Sequence, residues 1–167
     1  MFLKYGHSQP AKPQLSLHRQ RDILYGSKDQ FTPEEYTSPD LDHTGTYRIQ
    51  GIVCALIYYV RAVDNKLVVA LSVTGAQQSA AKKLREQAAS QILDYCSTYP
   101  NDGILYRSSD MILCAHSDYV FHNESKGRSR VWAHIFLSEG EAMPKWNGPV
   151  LTLVSIIKFV MSSYSEA

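Results

Sequence analysis

The apolar pattern of this chain changes period at Pro100-Asn101-Asp102-Gly103, and that switch constrains the fold more than any other feature. Before it, Ile49, Ile52, Val53, Leu56, Ile57 and Val60 recur at three- and four-residue steps, so they share one face of a helix that Thr44-Gly45-Thr46 opens. Arg61 near its C-terminal end complements the helix dipole. A shorter apolar segment runs from Lys66 to Thr74 and stops at Gly75. A third helix is predicted from Ser79 as N-cap to about Thr98, with Leu84, Ala88, Ile92 and Tyr95 as its stripe. Lys82, Lys83 and Arg85 fall in its early turns.

After Gly103 the spacing is that of strands. Ile104-Leu105-Tyr106-Arg107, a Ser108-Ser109-Asp110 turn and Met111 to His116 form an expected hairpin, in which Asp118 closes the second strand. Arg130 to Leu137 is a further strand, β-branched and aromatic throughout. Gly140 to Gly148 is a loop containing Pro144. The last apolar run, Val150 to Met161, fits both periods: Val150, Leu153, Val154, Ile157 and Val160 suit a helix, while the β-branched content suits a strand. The class is α+β, a helical part followed by a sheet.

The rest of the chain sets bounds. Residues 1–42 hold Pro10, Pro13, Pro33 and Pro39 among Ser, Gln and Lys, and read as an extended arm ordered only by docking, with a short strand at Ile23-Leu24-Tyr25. A formal net charge of +1 gives no global nucleic-acid signature, so such binding would need a local patch. The most apolar windows are shorter than a membrane span, and Met1-Phe2-Leu3 meets Lys4 at once, which is not a secretory signal. Cys54, Cys96 and Cys114 lack zinc-ligand spacing, which points to three buried, reduced thiols in an intracellular protein, cytoplasmic or nuclear.

Three blocks of residues resemble, in order and spacing, one known family. Arg48-Ile49-Gln50-Gly51-Ile52-Val53-Cys54-Ala55-Leu56-Ile57-Tyr58-Tyr59 with Arg61-Ala62-Val63-Asp64 is similar to a Gly-x-Leu-x-Tyr helix and Arg-x-x-Asp break. Gln91-Ile92-Leu93-Asp94-Tyr95 resembles the end of a connecting helix. Ser109-Asp110-Met111 through Ser117-Asp118, and then Arg128-Ser129-Arg130, resemble the first strand and the approach to the second strand of a ribonuclease H domain. Together, over about residues 20–167, they resemble the passage from reverse transcriptase into ribonuclease H in copia-type retrotransposon polyproteins. The resemblance implies a helical connection over 43–99 and, over 100–167, an incomplete ribonuclease H-like domain of three main antiparallel strands. It also selects the strand reading from Val150 to about Ile157. A covering helix would be missing, leaving an apolar patch from alternate residues of Ile112–Cys114, Ile135–Leu137 and Val150–Ile157, open to association.

The chemistry the resemblance implies is hydrolysis of RNA in RNA–DNA hybrids by two divalent cations about 4 Å apart. Magnesium asks for several carboxylate oxygens. Asp118 is the expected ancestral catalytic residue and a weak, incomplete metal site; Glu166 takes the second place if the alignment slips by two. The expectation is therefore a family segment without activity and without functionally bound Mg2+. The alternative is a binding module without catalysis, holding nucleic acid through Lys126, Arg128 and Arg130, or holding protein. His116 and His122 bracket Asp118 and are expected to be structural. The palm aspartates of a polymerase are absent from the sequence, and Tyr119, Phe121 and Trp132 are bulkier than the family pattern.

Overall fold

A computed structural model of the chain describes residues 2–18, 37–76, 81–124, 128–140 and 144–157. They form two compact units that divide in sequence after Leu105. The first holds three helices, α1 (His43–Ala62), α2 (Val68–Gly75) and α3 (Lys83–Thr98); the second is a three-stranded antiparallel sheet in the order β1 (Ile112–Glu124), β2 (Arg128–Ser138), β3 (Pro149–Ile156). Among the described residues no helix is long and apolar enough to cross a membrane.

α1 begins where Asp42 Oδ1 accepts from the Gly45 amide at 2.7 Å, a capping bond worth about 1 kcal/mol. It buries Ile49, Ile52, Val53, Leu56 and Val60, so the predicted face holds except at Ile57, which is exposed. Tyr58 beside it is 77% exposed. The helix ends at the Arg61-Ala-Val-Asp64 break, where buried Asp64 accepts from the Lys66 amide and starts a short 3-10 turn, Asn65–Leu67. Desolvation there pushes the Asp64 carboxyl above the usual carboxylate range, although the Lys66 amide and ammonium offset part of the rise.

α3 starts later than Ser79 as N-cap would require. Its N-cap is Lys82, and the exposed first-turn amides are met from elsewhere in the chain: Pro39 O accepts from Lys83 N and Ser38 Oγ from Leu84 N. Ser79 itself lies outside the described residues. The buried positions are Arg85, Ala89, Ile92 and Leu93, one residue round from the predicted Leu84-Ala88-Ile92-Tyr95 stripe. The core formed by α1 and α2 selects that phase, and the aliphatic stem of Arg85 tolerates it while its Nη1 donates to Val73 O. The expected cationic face is thereby dismantled, for Lys82 also pairs with Asp40.

The described part of the arm is docked on this helical unit. Tyr5 OH donates to Gly51 O at 2.8 Å, His7 Nε2 donates to Asp94 Oδ1 at 2.8 Å, and Gln14 N donates to Thr98 Oγ1 at 2.9 Å. Gly51 eases the first of these: a Cβ there would stand 3.0 Å from the Tyr5 ring and push it back by a few tenths of an ångström. Phe2, Tyr5, Leu17 and Leu41 pack against the core. The expected strand at Ile23-Leu24-Tyr25 lies outside the described residues.

Two strand expectations are corrected. Ile104 to Arg107 is not a strand paired with β1: the Arg107 amide and carbonyl are engaged by the Asn147 side chain instead. β1 does not stop at Asp118 but continues to Glu124, since Tyr119, Val120 and Phe121 are all strand formers. The described part of the ambiguous last run is a strand, β3 from Pro149 to Ile156; residues 158–161 lie outside the described residues.

The thiols are not uniformly buried either: Cys54 is exposed on α1, while Cys96 and Cys114 are half-buried. Burial, with the Asp64 charge behind it, pushes the Cys96 thiol up to about 11. At pH 8 its thiolate fraction is then on the order of one in a thousand. Iodoacetamide at pH 8 is expected to alkylate Cys54 first and Cys96 last, read by peptide mass spectrometry; comparable rates at the two would contradict this packing.

Candidate functional site

The sheet presents two unlike faces, and the register fixes which residue lies on which. Leu113, Ala115, Ser117 and Tyr119 of β1 oppose Leu137, Ile135, Ala133 and Val131 of β2, and Ile135 and Ala133 oppose Leu151 and Leu153 of β3. This face is aliphatic and open, with Leu113 68% exposed and Leu151 and Leu153 also exposed. The apolar patch expected at the sequence level thus has a physical counterpart, built from one pleat parity of each strand.

The opposite face carries Asp118. It lies beside Trp132 in register, with His116 opposite His134, and His134 opposite Thr152. The side chains there form an aromatic group. His116 meets Trp132 and Trp146 edge-on at 5.5 and 4.9 Å, and Trp146 stacks on buried Phe136 at 5.4 Å. His134, also buried, lies against Trp132, Phe136 and Trp146. Its Nε2 donates to Asn147 O at 3.2 Å; a carbonyl only accepts, so Nε2 carries the proton.

Residues 144–148 strap this group onto the sheet, and Asn147 is the fastening. Its Oδ1 accepts from Arg107 N at 2.7 Å and Gly148 N at 2.8 Å, while its Nδ2 donates to Arg107 O and Leu137 O, both at 2.9 Å. Ser138 Oγ donates to Lys145 O, and Tyr106 OH donates to Pro149 O. Sequence reasoning misses all of this, placing Trp146 and Asn147 in an undifferentiated loop. The one available signal is the Asn147-Gly148 pair next to a strand, a turn former whose amide can bind backbone on both sides.

Asp118 is exposed, and its Oδ1 accepts from the Tyr119 amide at 2.7 Å. Among the described residues no group of three His, Cys, Asp or Glu is placed to hold a metal ion. One carboxylate flanked by an indole and an imidazole does not fit a pair of magnesium ions, which bring +4 and seek oxygen ligands. Of the bulky residues that depart from the family pattern, Trp132 shares the Asp118 face and Tyr119 lies on the other. Glu166 and Lys126 lie outside the described residues, as does the side chain of Arg128. Arg128 and Arg130 belong to β2 rather than to a loop, and Arg130 is 4% exposed, so its guanidinium is not displayed to a phosphate backbone. Compared with known proteins, the chain matches no family model, no curated protein and no solved structure.

Proposed function

We infer that this chain is a non-catalytic segment of ribonuclease H type, related to copia-type retrotransposon polyproteins and ancestrally concerned with RNA strand hydrolysis in RNA–DNA hybrids. The observation that supports it best is the place of Asp118: an exposed carboxylate on the first strand of a three-stranded antiparallel sheet that follows a helical part. The Gly51 approach to Tyr5 and the Asp64 break give structural work to two positions of the resemblance. Two-metal hydrolysis needs converging carboxylates, and among the described residues no three His, Cys, Asp or Glu side chains come together to hold a metal ion.

Purified protein is therefore expected to leave the RNA of a hybrid uncut with magnesium or manganese, and Asp118→Asn to change nothing in that assay. Hybrid cleavage that disappears in Asp118→Asn would overturn this reading. The second reading, a binding module without catalysis, draws on the open aliphatic sheet face and favours protein over nucleic acid, because Arg85 and Arg130 are buried. Filter binding of an RNA–DNA hybrid over a salt series separates the cases: a steep fall in affinity with salt marks phosphate contacts, and flat, weak retention argues against them.

A further inference from the structure

We propose that β1 is a self-docking edge, pairing antiparallel with β1 of a second copy of this chain about a two-fold axis at Ser117. β1 is an outer strand of the sheet, and among the described residues no strand pairs with its far side. From Ile112 to Tyr119 every side chain is exposed except half-buried Cys114. Edges of this kind are usually guarded by lysine, proline or a bulge. Ile112-Leu113-Cys114-Ala115-His116-Ser117-Asp118-Tyr119 has neither lysine nor proline, and the register with β2 runs unbroken from Ile112 to Val120.

The direction of the backbone groups follows from two bonds. Ile157 N donates to Ser129 O, so the odd-numbered residues of β2 turn toward β3 and the even ones toward β1. The even residues of β1 are then the ones bonded to β2, and Ala115, Ser117 and Tyr119 point outward. The Tyr119 amide agrees: Asp118 Oδ1 holds it at 2.7 Å, as suits an amide turned away from β2.

Charge selects the register. About Ser117, each His116 lies opposite the second copy's Asp118, so an imidazole N–H donates to a carboxylate on both sides of the axis. About Ala115, Asp118 would face Ile112; about His116, it would face Cys114 and the two imidazoles would face each other. In the Ser117 register His116 and Asp118 occupy the non-hydrogen-bonded position, where facing side chains come closest. Ser117 pairs with Ser117, and Ala115 with Tyr119, through outward backbone groups. Asp118 leaves the Tyr119 amide for the second copy's His116, and the amide takes the second copy's Ala115 carbonyl instead. The product is a continuous six-stranded sheet.

Sedimentation equilibrium of the full chain at tens of micromolar tests this. A dimer is expected. His116→Asp sets carboxylate against carboxylate at both ends of the pair, and is expected to weaken the dimer at least about tenfold. The swap His116→Asp with Asp118→His restores the opposite pairing, and with it an affinity within a few-fold of the parent. Ser117→Pro removes one outward amide and none that faces β2, giving a monomer with an unchanged far-ultraviolet dichroism spectrum; if that variant misfolds, the His116 and swap variants carry the test. A monomeric parent protein overturns the proposal. So does a dimer indifferent to His116→Asp, or one that the swap fails to restore.

Discussion

Asn147→Ala is expected to destabilise the sheet unit by about 2–4 kcal/mol, the sum of several hydrogen bonds at about 1 kcal/mol each with some of the freed groups recovered by water. The side chain spans Arg107, Leu137 and Gly148, so its loss leaves two amides and two carbonyls to find other partners. It also releases the strap that seats Trp146 on Phe136 and His116. The readout is intrinsic, because the two tryptophans of the chain, Trp132 and Trp146, both belong to the aromatic group. Urea titration followed by tryptophan fluorescence should show an earlier midpoint and a red-shifted native spectrum. Asn147→Asp should cost a similar amount: it keeps the acceptors but turns a carboxylate oxygen toward the Arg107 and Leu137 carbonyls. A loss below about 1 kcal/mol in both variants would mean that the strap is not fastened at this residue.

Leu93→Ala is expected to cost the helical unit about 3–4 kcal/mol, since a fully buried leucine truncated in a packed core loses its transfer energy and leaves a cavity. Its control is Tyr58→Ala on α1, a larger truncation at an exposed site, expected to stay within about 0.5 kcal/mol. Ellipticity at the helical band during urea unfolding measures both. Equal losses at the two positions would place the core on the wrong side of α1 or α3.

The sequence alone determined the α+β order, the α1 face but for Ile57 and the strand character of residues 130–137. These follow from local periodicity and propensity, which act through neighbours a few positions apart and so survive without knowledge of the fold. The open apolar sheet face was instead implied by the resemblance, with its missing covering helix; alternation along the strands only named which residues would line it.

Tertiary structure decided what depends on distant partners. The stripe of α3 shifted by one residue because the surface offered by α1 and α2 accepts Arg85, Ala89, Ile92 and Leu93, and because Ser38 and Pro39 meet the helix start from forty residues away in the chain. Asn147, forty residues on in the sequence, took the Arg107 backbone groups and so removed a hairpin that propensity supports. Only the β1–β2–β3 register could set Asp118 beside Trp132, His116 beside Trp146 and the backbone of β1 toward an edge that no described strand pairs with. Asn147 shows the physical reason most plainly: an amide side chain has no preference of its own until backbone groups from three other positions converge on it.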